Sequence, residues 1–180
     1  MRTFITLFTG LFIFVASHAQ QYQPTDEKSE VKFVIKNFGI NTGGSFKGLQ
    51  GTIVFDAANA AAGSFDISID VNTVNTDNDS RDNHLRKEEY FDVQSHPRIS
   101  FKSEKITAGK SGSFQVSGKL TIKGTTKDIS FPFKASAKDD GYLFEGSFQL
   151  NRRDFKVGGN SLVLGDNVSV SLSVLAKKKS

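Results

Sequence analysis

The sequence predicts a single antiparallel β domain, and three features of the chain point to it. Eight short runs alternate apolar and polar residues with a period of two, which is typical of half-buried strands. Clusters of Gly, Asn, Asp and Thr separate many of these runs, as turns do. Phe is abundant, with 17 copies in 180 residues, while Trp and Cys are absent. Phe supplies a large apolar area without a polar group, which suits a packed core or the wall of an apolar cavity.

The eight runs follow one another from residue 31 to residue 174. The third is the most regular, because Phe65, Ile67, Ile69 and Val71 alternate with polar residues. The runs cover residues 31–35, 51–55, 65–71, 98–102, 114–122, 129–137, 142–150 and 168–174. Eight antiparallel strands with one apolar face form either a closed barrel, which can hold one small ligand, or a two-sheet sandwich. Alternation alone does not separate these two folds.

One stretch, residues 76–97, interrupts the alternation with a dense run of charged residues. Asp79 or Ser80 is a suitable N-cap, which predicts a short helix over about 80–88 and a further turn near 90–93. Pro97 ends this stretch before the next strand. We expect the resulting short helical insertion, at about 80–95, to cover one end of the domain.

The first 19 residues have the pattern of a secretory signal. Arg2 precedes a short apolar stretch, and Ser17 and Ala19 provide the small residues of a signal-peptidase site. We predict cleavage after Ala19 and a periplasmic or secreted location, with residues 20–180 forming one domain. Because the exported chain has no Cys, its stability must come from the core without disulfides.

Charge and motif spacing argue against several classes of function. The net charge of +4 is not concentrated in one basic segment, so we expect no nucleic-acid binding. His84 and His96 lack the spacing of metal ligands, and the stretch from Asp77 lacks the glycine of a calcium loop. We therefore expect no metal and no other cofactor. The lysines at 177–179 suit a solvated terminus, and weak attraction to anionic lipid is the alternative interpretation.

Two polar clusters are candidates for contact with a ligand head group or for a structural role. Arg81, Asp82 and His84 lie in the insertion, and Arg152 and Asp154 follow the seventh run. A His near a carboxylate suits a general base, but the sequence places no Ser or Cys nucleophile beside it. We expect no catalytic residue, and structural ion pairs are the simpler interpretation of both clusters.

Several motifs occur in a fixed order over about residues 22–176. They include Gly44-Ser-Phe-Lys-Gly-Leu-Gln-Gly51, Arg81-Asp-Asn-His-Leu85, Gly118-Lys-Leu-Thr-Ile-Lys-Gly-Thr-Thr-Lys127 and Asn151-Arg-Arg-Asp-Phe155. This arrangement resembles the YceI-like family of lipid- or polyisoprenoid-binding periplasmic proteins. The resemblance implies an eight-stranded antiparallel lipocalin-like barrel, a long pore for a polyisoprenoid chain, and no general enzymatic activity. The chain departs from many members at Asn37, where they carry His, and at Lys156, where they carry Gly.

The apolar residues of the alternating runs are the candidates for the lining of such a pore. We predict that ten of them point inward: Phe33, Phe55, Ile67, Ile69, Phe101, Phe114, Phe131, Phe133, Phe144 and Phe148. Since burial of hydrocarbon yields about 0.8 kcal/mol per CH₂, several isoprene units would bind without any catalytic group.

Three functional hypotheses follow. The first is storage, transport or sequestration of an isoprenoid or other amphiphilic lipid. The second is a periplasmic enzyme or redox partner that acts on a quinone or prenyl lipid through the Arg81–His84 cluster. The third is an interaction domain with a fully packed interior. Transient contact with a membrane, and the choice between monomer and homodimer, stay open.

Overall fold

The computed structural model describes residues 20–179, in which eight antiparallel strands, preceded by one short strand, close a barrel. The predicted signal segment lies outside the described residues. The strands are β1 (Gln21–Pro24), β2 (Glu30–Asn37), β3 (Ile40–Val54), β4 (Ser64–Asn75), β5 (Arg98–Ala108), β6 (Ser113–Ile122), β7 (Thr125–Lys138), β8 (Gly141–Asn151) and β9 (Leu164–Lys178). One α-helix, α1 (Asp79–Leu85), and two one-turn 3-10 helices, at Ala60–Ala62 and Arg152–Phe155, complete it.

The hydrogen-bonded neighbours show that the sheet closes on itself. Each strand from β2 to β9 pairs with the next along the chain, and β9 pairs back with β2, with Val170 opposite Phe33. Each of these eight strands therefore has a partner on both sides, which separates a barrel from a sandwich. The predicted eight-stranded antiparallel barrel is confirmed.

β1 is a strand that the sequence analysis did not predict. It pairs with the ends of β3 and β9, with Tyr22 opposite both Ile53 and Lys178. Because β2 lies between the same two strands, β1 occupies the same place in the barrel as β2, and a break in the chain's strand structure separates them. Asp26 stabilises the break, since its carboxylate accepts hydrogen bonds from the backbone N–H groups of Gly48 and Leu49 at 2.9 and 3.0 Å. Four residues that end in Pro carry too little alternation to predict a strand.

β3 begins at Ile40, eleven residues before the predicted start of this strand at Gly51. Its register against β4 shifts twice, between Ser45 and Lys47 and between Lys47 and Gln50, so the alternation is lost there. Such shifts are the mark of β-bulges, which bend a strand. Gly44 leaves room for the ring of Phe33, because a side chain at position 44 would overlap that ring.

The insertion (residues 76–97) covers one end of the barrel, as predicted, but its helix differs in detail. The N-cap is Asn78, whose side chain accepts a hydrogen bond from the backbone N–H of Arg81, and neither Asp79 nor Ser80. The helix ends at Leu85 and not at Glu88. Hydrogen-bonded turns then return the chain to the barrel, where Phe91 donates to the Leu85 carbonyl and Val93 is buried.

The opposite end of the barrel is closed by an aromatic cluster, here called the floor. Phe55 is wholly buried at its centre. Its ring centroid lies 5.1–6.5 Å from those of five other rings: Phe65, Phe114, Phe133, Tyr142 and Phe144. Four of these contacts are edge-to-face, the arrangement that aromatic quadrupoles favour. Tyr22 joins the cluster edge-on to Tyr142, and burial is the main cause that raises the pKa of the Tyr22 phenol.

The position of Phe55 leads to a stability prediction. We expect Phe55→Ala to lower the free energy of unfolding by about 3–5 kcal/mol, since five rings lose a common partner. The control is Phe38→Ala, because Phe38 is 72% exposed and its removal should change stability by less than about 0.5 kcal/mol. Chemical denaturation followed by circular dichroism measures both. Equal effects of the two substitutions would mean that Phe55 does not organise the floor.

Candidate functional site

The upper part of the barrel, between the floor and the insertion, encloses a cavity of about 250 Å³. Its wall is almost wholly apolar, with side chains from all eight strands of the ring and from the insertion. This volume lies just below the range of about 300–1,000 Å³ that is usual for small-molecule sites. The interior is therefore divided into a packed floor and an unfilled upper chamber.

The cavity is long and narrow. Along β9 its lining runs from Leu164 to Val174, which is about 33 Å of strand at about 3.3 Å per residue. At a strand tilt of roughly 40°, this corresponds to about 25 Å along the barrel axis. A slender chain fits such a space better than a wide ring system does.

Eight of the ten residues predicted to point into a pore line this cavity. They are Phe33, Ile67, Ile69, Phe101, Phe131, Phe133, Phe144 and Phe148. Phe55 and Phe114 are not among its lining residues, because their rings pack against each other at 5.1 Å in the floor. Any contact of the eight with a ligand stays a prediction.

The insertion contributes apolar lining that the sequence analysis did not assign to the pore. Leu85, Tyr90 and Phe91 all face the cavity. Phe91 packs edge-on against Phe46 of β3, with ring centroids 5.6 Å apart. The available signal was the presence of these large apolar residues in a stretch that is otherwise highly charged.

Polar groups gather where the cavity reaches the surface, a place here called the mouth. Asn37, Thr42, Thr76 and Arg81 line it. The part of β3 that precedes Ser45 has no partner in β4. A polar surface cleft lies between the two strands there. Arg81 borders both the cleft and the cavity, so its guanidinium lies between water and the apolar interior.

Thr76 and Asp82 hold Arg81 at the mouth. The Nε and Nη2 groups of Arg81 donate to the hydroxyl and the carbonyl of Thr76 at 2.7 and 2.6 Å. The Thr76 hydroxyl in turn donates to the buried carboxylate of Asp82, which also accepts from the Thr76 backbone N–H at 2.9 Å. Within residues 20–179, Nη1 of Arg81 has no hydrogen-bond partner, so this cation is fixed in place with donors to spare.

Two further members of the predicted clusters, His84 and Asp154, do not line the cavity. His84 is exposed, and its ring lies against Tyr90 with centroids 4.9 Å apart. Asp154 is also exposed. In the described part of the chain, no group of three or more His, Asp or Glu side chains is placed to hold a metal ion.

Arg152 borders the cavity, but its hydrogen bonds give it a structural role. This side chain is 4% exposed and donates five hydrogen bonds, which is the full capacity of a guanidinium. The acceptors are the carbonyls of Val157, Gly159, Leu164 and Gly165 and a carboxylate oxygen of Asp166. Of the two interpretations of Arg152, these hydrogen bonds favour the structural one, because its donors are already used to fix the loop before β9. Contact of Arg152 with a ligand head group stays an untested prediction.

Lys156, one of the two departures from the family pattern, lies beside this loop. It ends the second 3-10 helix with a φ of 57°, in the left-handed region. Glycine adopts this conformation without steric cost, whereas the side chain of Lys156 makes it less favourable. The departure from the family pattern at Lys156 therefore concerns the conformation of the backbone. The other one, at Asn37, changes the polar lining of the mouth.

Comparison with protein families and curated proteins agrees with the motif order. The model of the YceI-like domain matches residues 22–176. A UPF0312 protein of Yersinia enterocolitica is 29% identical over 184 aligned positions, which cover 96% of this chain and 95% of the relative. A UPF0312 protein of Pectobacterium atrosepticum is 32% identical, with 71% and 69% of the two chains covered.

Solved structures share the barrel. BcnA of Burkholderia cenocepacia matches with a TM-score of 0.81 and 27% identity, covering 86% of this chain and 99% of that one. A domain from Saccharophagus degradans, described as polyisoprenoid binding, matches with a TM-score of 0.72 over 90% of this chain and 100% of that one. Its 17% identity makes this second likeness evidence for the fold alone.

Proposed function

This chain belongs to the YceI-like family, and we propose that its barrel stores, carries or sequesters an isoprenoid or similar long amphiphilic lipid without changing it chemically. The observation that carries the proposal is the upper chamber, which is long, narrow and apolar and ends at a polar mouth. The domain from Saccharophagus degradans that shares this fold is described as polyisoprenoid binding.

The energetics of the chamber favour a hydrocarbon chain. Each CH₂ group that leaves water contributes about 0.8 kcal/mol, and this attraction needs no directional contact. Phe131 and Phe148 stack with centroids 4.8 Å apart along the wall, which leaves flat apolar surface toward the interior. A flexible chain therefore gains affinity with each group that enters, while the floor limits the depth of entry.

Arg81 is the group that would meet the polar end of the lipid. Its unused Nη1 donors suit a phosphate or carbonyl oxygen, and hydrogen bonds to a charged group contribute about 1.5–3 kcal/mol. Asn37 and Thr42 supply neutral donors and acceptors at the same mouth. We assign the head-group contact to Arg81, and not to Arg152, His84 or Asp154.

The position of His84 speaks against a catalytic role. An enzyme or redox partner acting on a quinone or prenyl lipid needs a titratable group at the mouth. His84, the only candidate base in the cluster, is exposed and absent from the cavity lining. Binding without chemistry is the simpler proposal.

Export completes the proposal. The signal pattern of residues 1–19 supports a periplasmic or secreted protein. Sequencing the N-terminus of the protein recovered outside the cytoplasm should give Gln20 as the first residue. Recovery of the intact N-terminus from the cytoplasmic fraction would contradict export.

The proposal that a lipid chain occupies the chamber is tested by a substitution that places a larger side chain on the chamber wall. Val170 lines the cavity between Phe33 and Phe148, so we expect Val170→Phe to displace at least two CH₂ groups of a bound chain and to weaken binding roughly tenfold. The probe is solanesol, an all-trans polyprenol, and its co-elution with the protein in gel filtration is quantified by mass spectrometry.

The matched control for this filling is Ser169→Phe, which adds the same ring to the neighbouring, exposed position of β9. It should bind solanesol as the unchanged protein does. Equal retention by Val170→Phe would show that the chain does not enter the barrel.

The assignment of Arg81 is tested by comparing solanesyl phosphate with solanesol. The unchanged protein should bind the phosphate more tightly, by roughly tenfold or more. Arg81→Met should remove this preference, and Arg81→Lys should keep part of it because the positive charge remains. A preference that survives in Arg81→Met would place the head-group site elsewhere.

A further inference from the structure

The exposed large apolar side chains of residues 20–179 are gathered at one end of the barrel. Phe38 is 72% exposed, Ile40 is 70% exposed, and Leu162 is fully exposed. Val163 and Val34, nearby, are also exposed. Single exposed apolar residues are common on proteins, but a contiguous group of them marks an interaction surface. We call Phe38, Ile40, Leu162 and Val163 the apolar lip.

The lip is built from two adjoining loops. The backbone N–H of Phe38, in the β2–β3 turn, donates to the carbonyl of Val163, before β9, at 2.8 Å. The next pair of residues toward the barrel is Asn37 and Leu164, which face each other across β2 and β9 and line the cavity. The apolar surface of the lip is therefore continuous with the mouth.

The turn conformation shows that Phe38 is unusual at this position. Phe38 and Gly39 have φ values of 50° and 76°, as in a two-residue turn of type I′. Asn-Gly is the preferred sequence for such a turn, and a bulky side chain at positive φ is disfavoured. The turn therefore contains a sterically disfavoured residue whose aromatic ring is exposed.

We propose that the apolar lip inserts into the surface of a phospholipid bilayer and so brings the mouth into contact with the membrane. This inference rests on the proposed function, because a lipid that enters from a bilayer in contact with the mouth never exposes its chain to water. The bilayer is the occupant that the geometry favours, since the lip borders the opening through which the lipid must pass.

The charges around the lip are compatible with an anionic membrane surface. Lys36, exposed on β2, lies beside Gly165 at the rim, and Arg81 stands at the mouth. The nearby Asp166 carboxylate is paired with Arg152 at 2.9 Å and with Arg153 at 3.6 Å. The C-terminal lysines are far from this end, because Lys177 pairs with Gly141 beside the floor.

The test uses sedimentation with vesicles of phosphatidylcholine and phosphatidylglycerol. We expect the unchanged protein to bind them and the double variant Phe38→Asn/Leu162→Ser to bind roughly tenfold less, since two exposed apolar groups are lost. Phe38→Asn creates the preferred Asn-Gly turn and should preserve or raise the melting temperature. Weaker vesicle binding by this variant would therefore not come from unfolding.

Two further comparisons make the outcomes distinct. Both proteins should bind solanesol equally in detergent, where no bilayer is needed. Failure of both to bind solanesol, with normal vesicle binding of the unchanged protein, would overturn the proposed function and leave the lip as a membrane contact. Replacement of Lys177, Lys178 and Lys179 by Gln, at the opposite end, should leave vesicle binding unchanged.

The inference is overturned by either of two results. The first is vesicle binding that does not differ between the unchanged protein and the double variant, which includes no binding by either. The second is a dimer of the unchanged protein in gel filtration that the double variant converts to a monomer, which would make a second copy of the chain the occupant of the lip.

Discussion

The packing around Phe55 is the constraint on which the rest of the structure depends. Its ring contacts five aromatic neighbours and closes one end of the barrel. An eight-stranded barrel is just wide enough for its side chains to fill the interior or to leave room for one small ligand. Here the rings around Phe55 pack against one another and close one end, while the apolar side chains of the upper part leave a cavity of about 250 Å³ between them. The packed rings and the cavity therefore occupy different parts of one interior.

The two arginines at the open end show how hydrogen-bond saturation decides a role. All five donors of Arg152 form hydrogen bonds with the loop before β9, and these bonds fix the rim of the barrel. Arg81 is anchored through Thr76 and keeps its Nη1 donors free within the described residues. The rim that Arg152 fixes carries Leu162 and Val163, while Arg81 faces the interior from the mouth. In the two proposals, binding of the polar end of the lipid and contact with a membrane therefore use neighbouring but separate groups.

Much of the fold was predictable because a half-buried barrel wall imposes a period of two on its strands. The start of β3 was missed, since bulges around Lys47 erase that period. The division between floor and cavity was also beyond the sequence, because Phe55 and Phe131 show the same alternation and differ only in their partners across the barrel. The roles of Arg81 and Arg152 depend on backbone carbonyls whose positions follow from the folded loops, so residue type alone did not distinguish them.

The proposal that the chamber holds an isoprenoid lipid is tested most directly by the content of the native protein. Protein purified from its native host should release, on extraction with organic solvent, a prenyl lipid at about one molecule per chain, a stoichiometry set by the narrow chamber. Mass spectrometry identifies and counts the extracted molecules. An extract that contains no lipid, or only phospholipids in the proportions of the surrounding membrane, would contradict the proposed function.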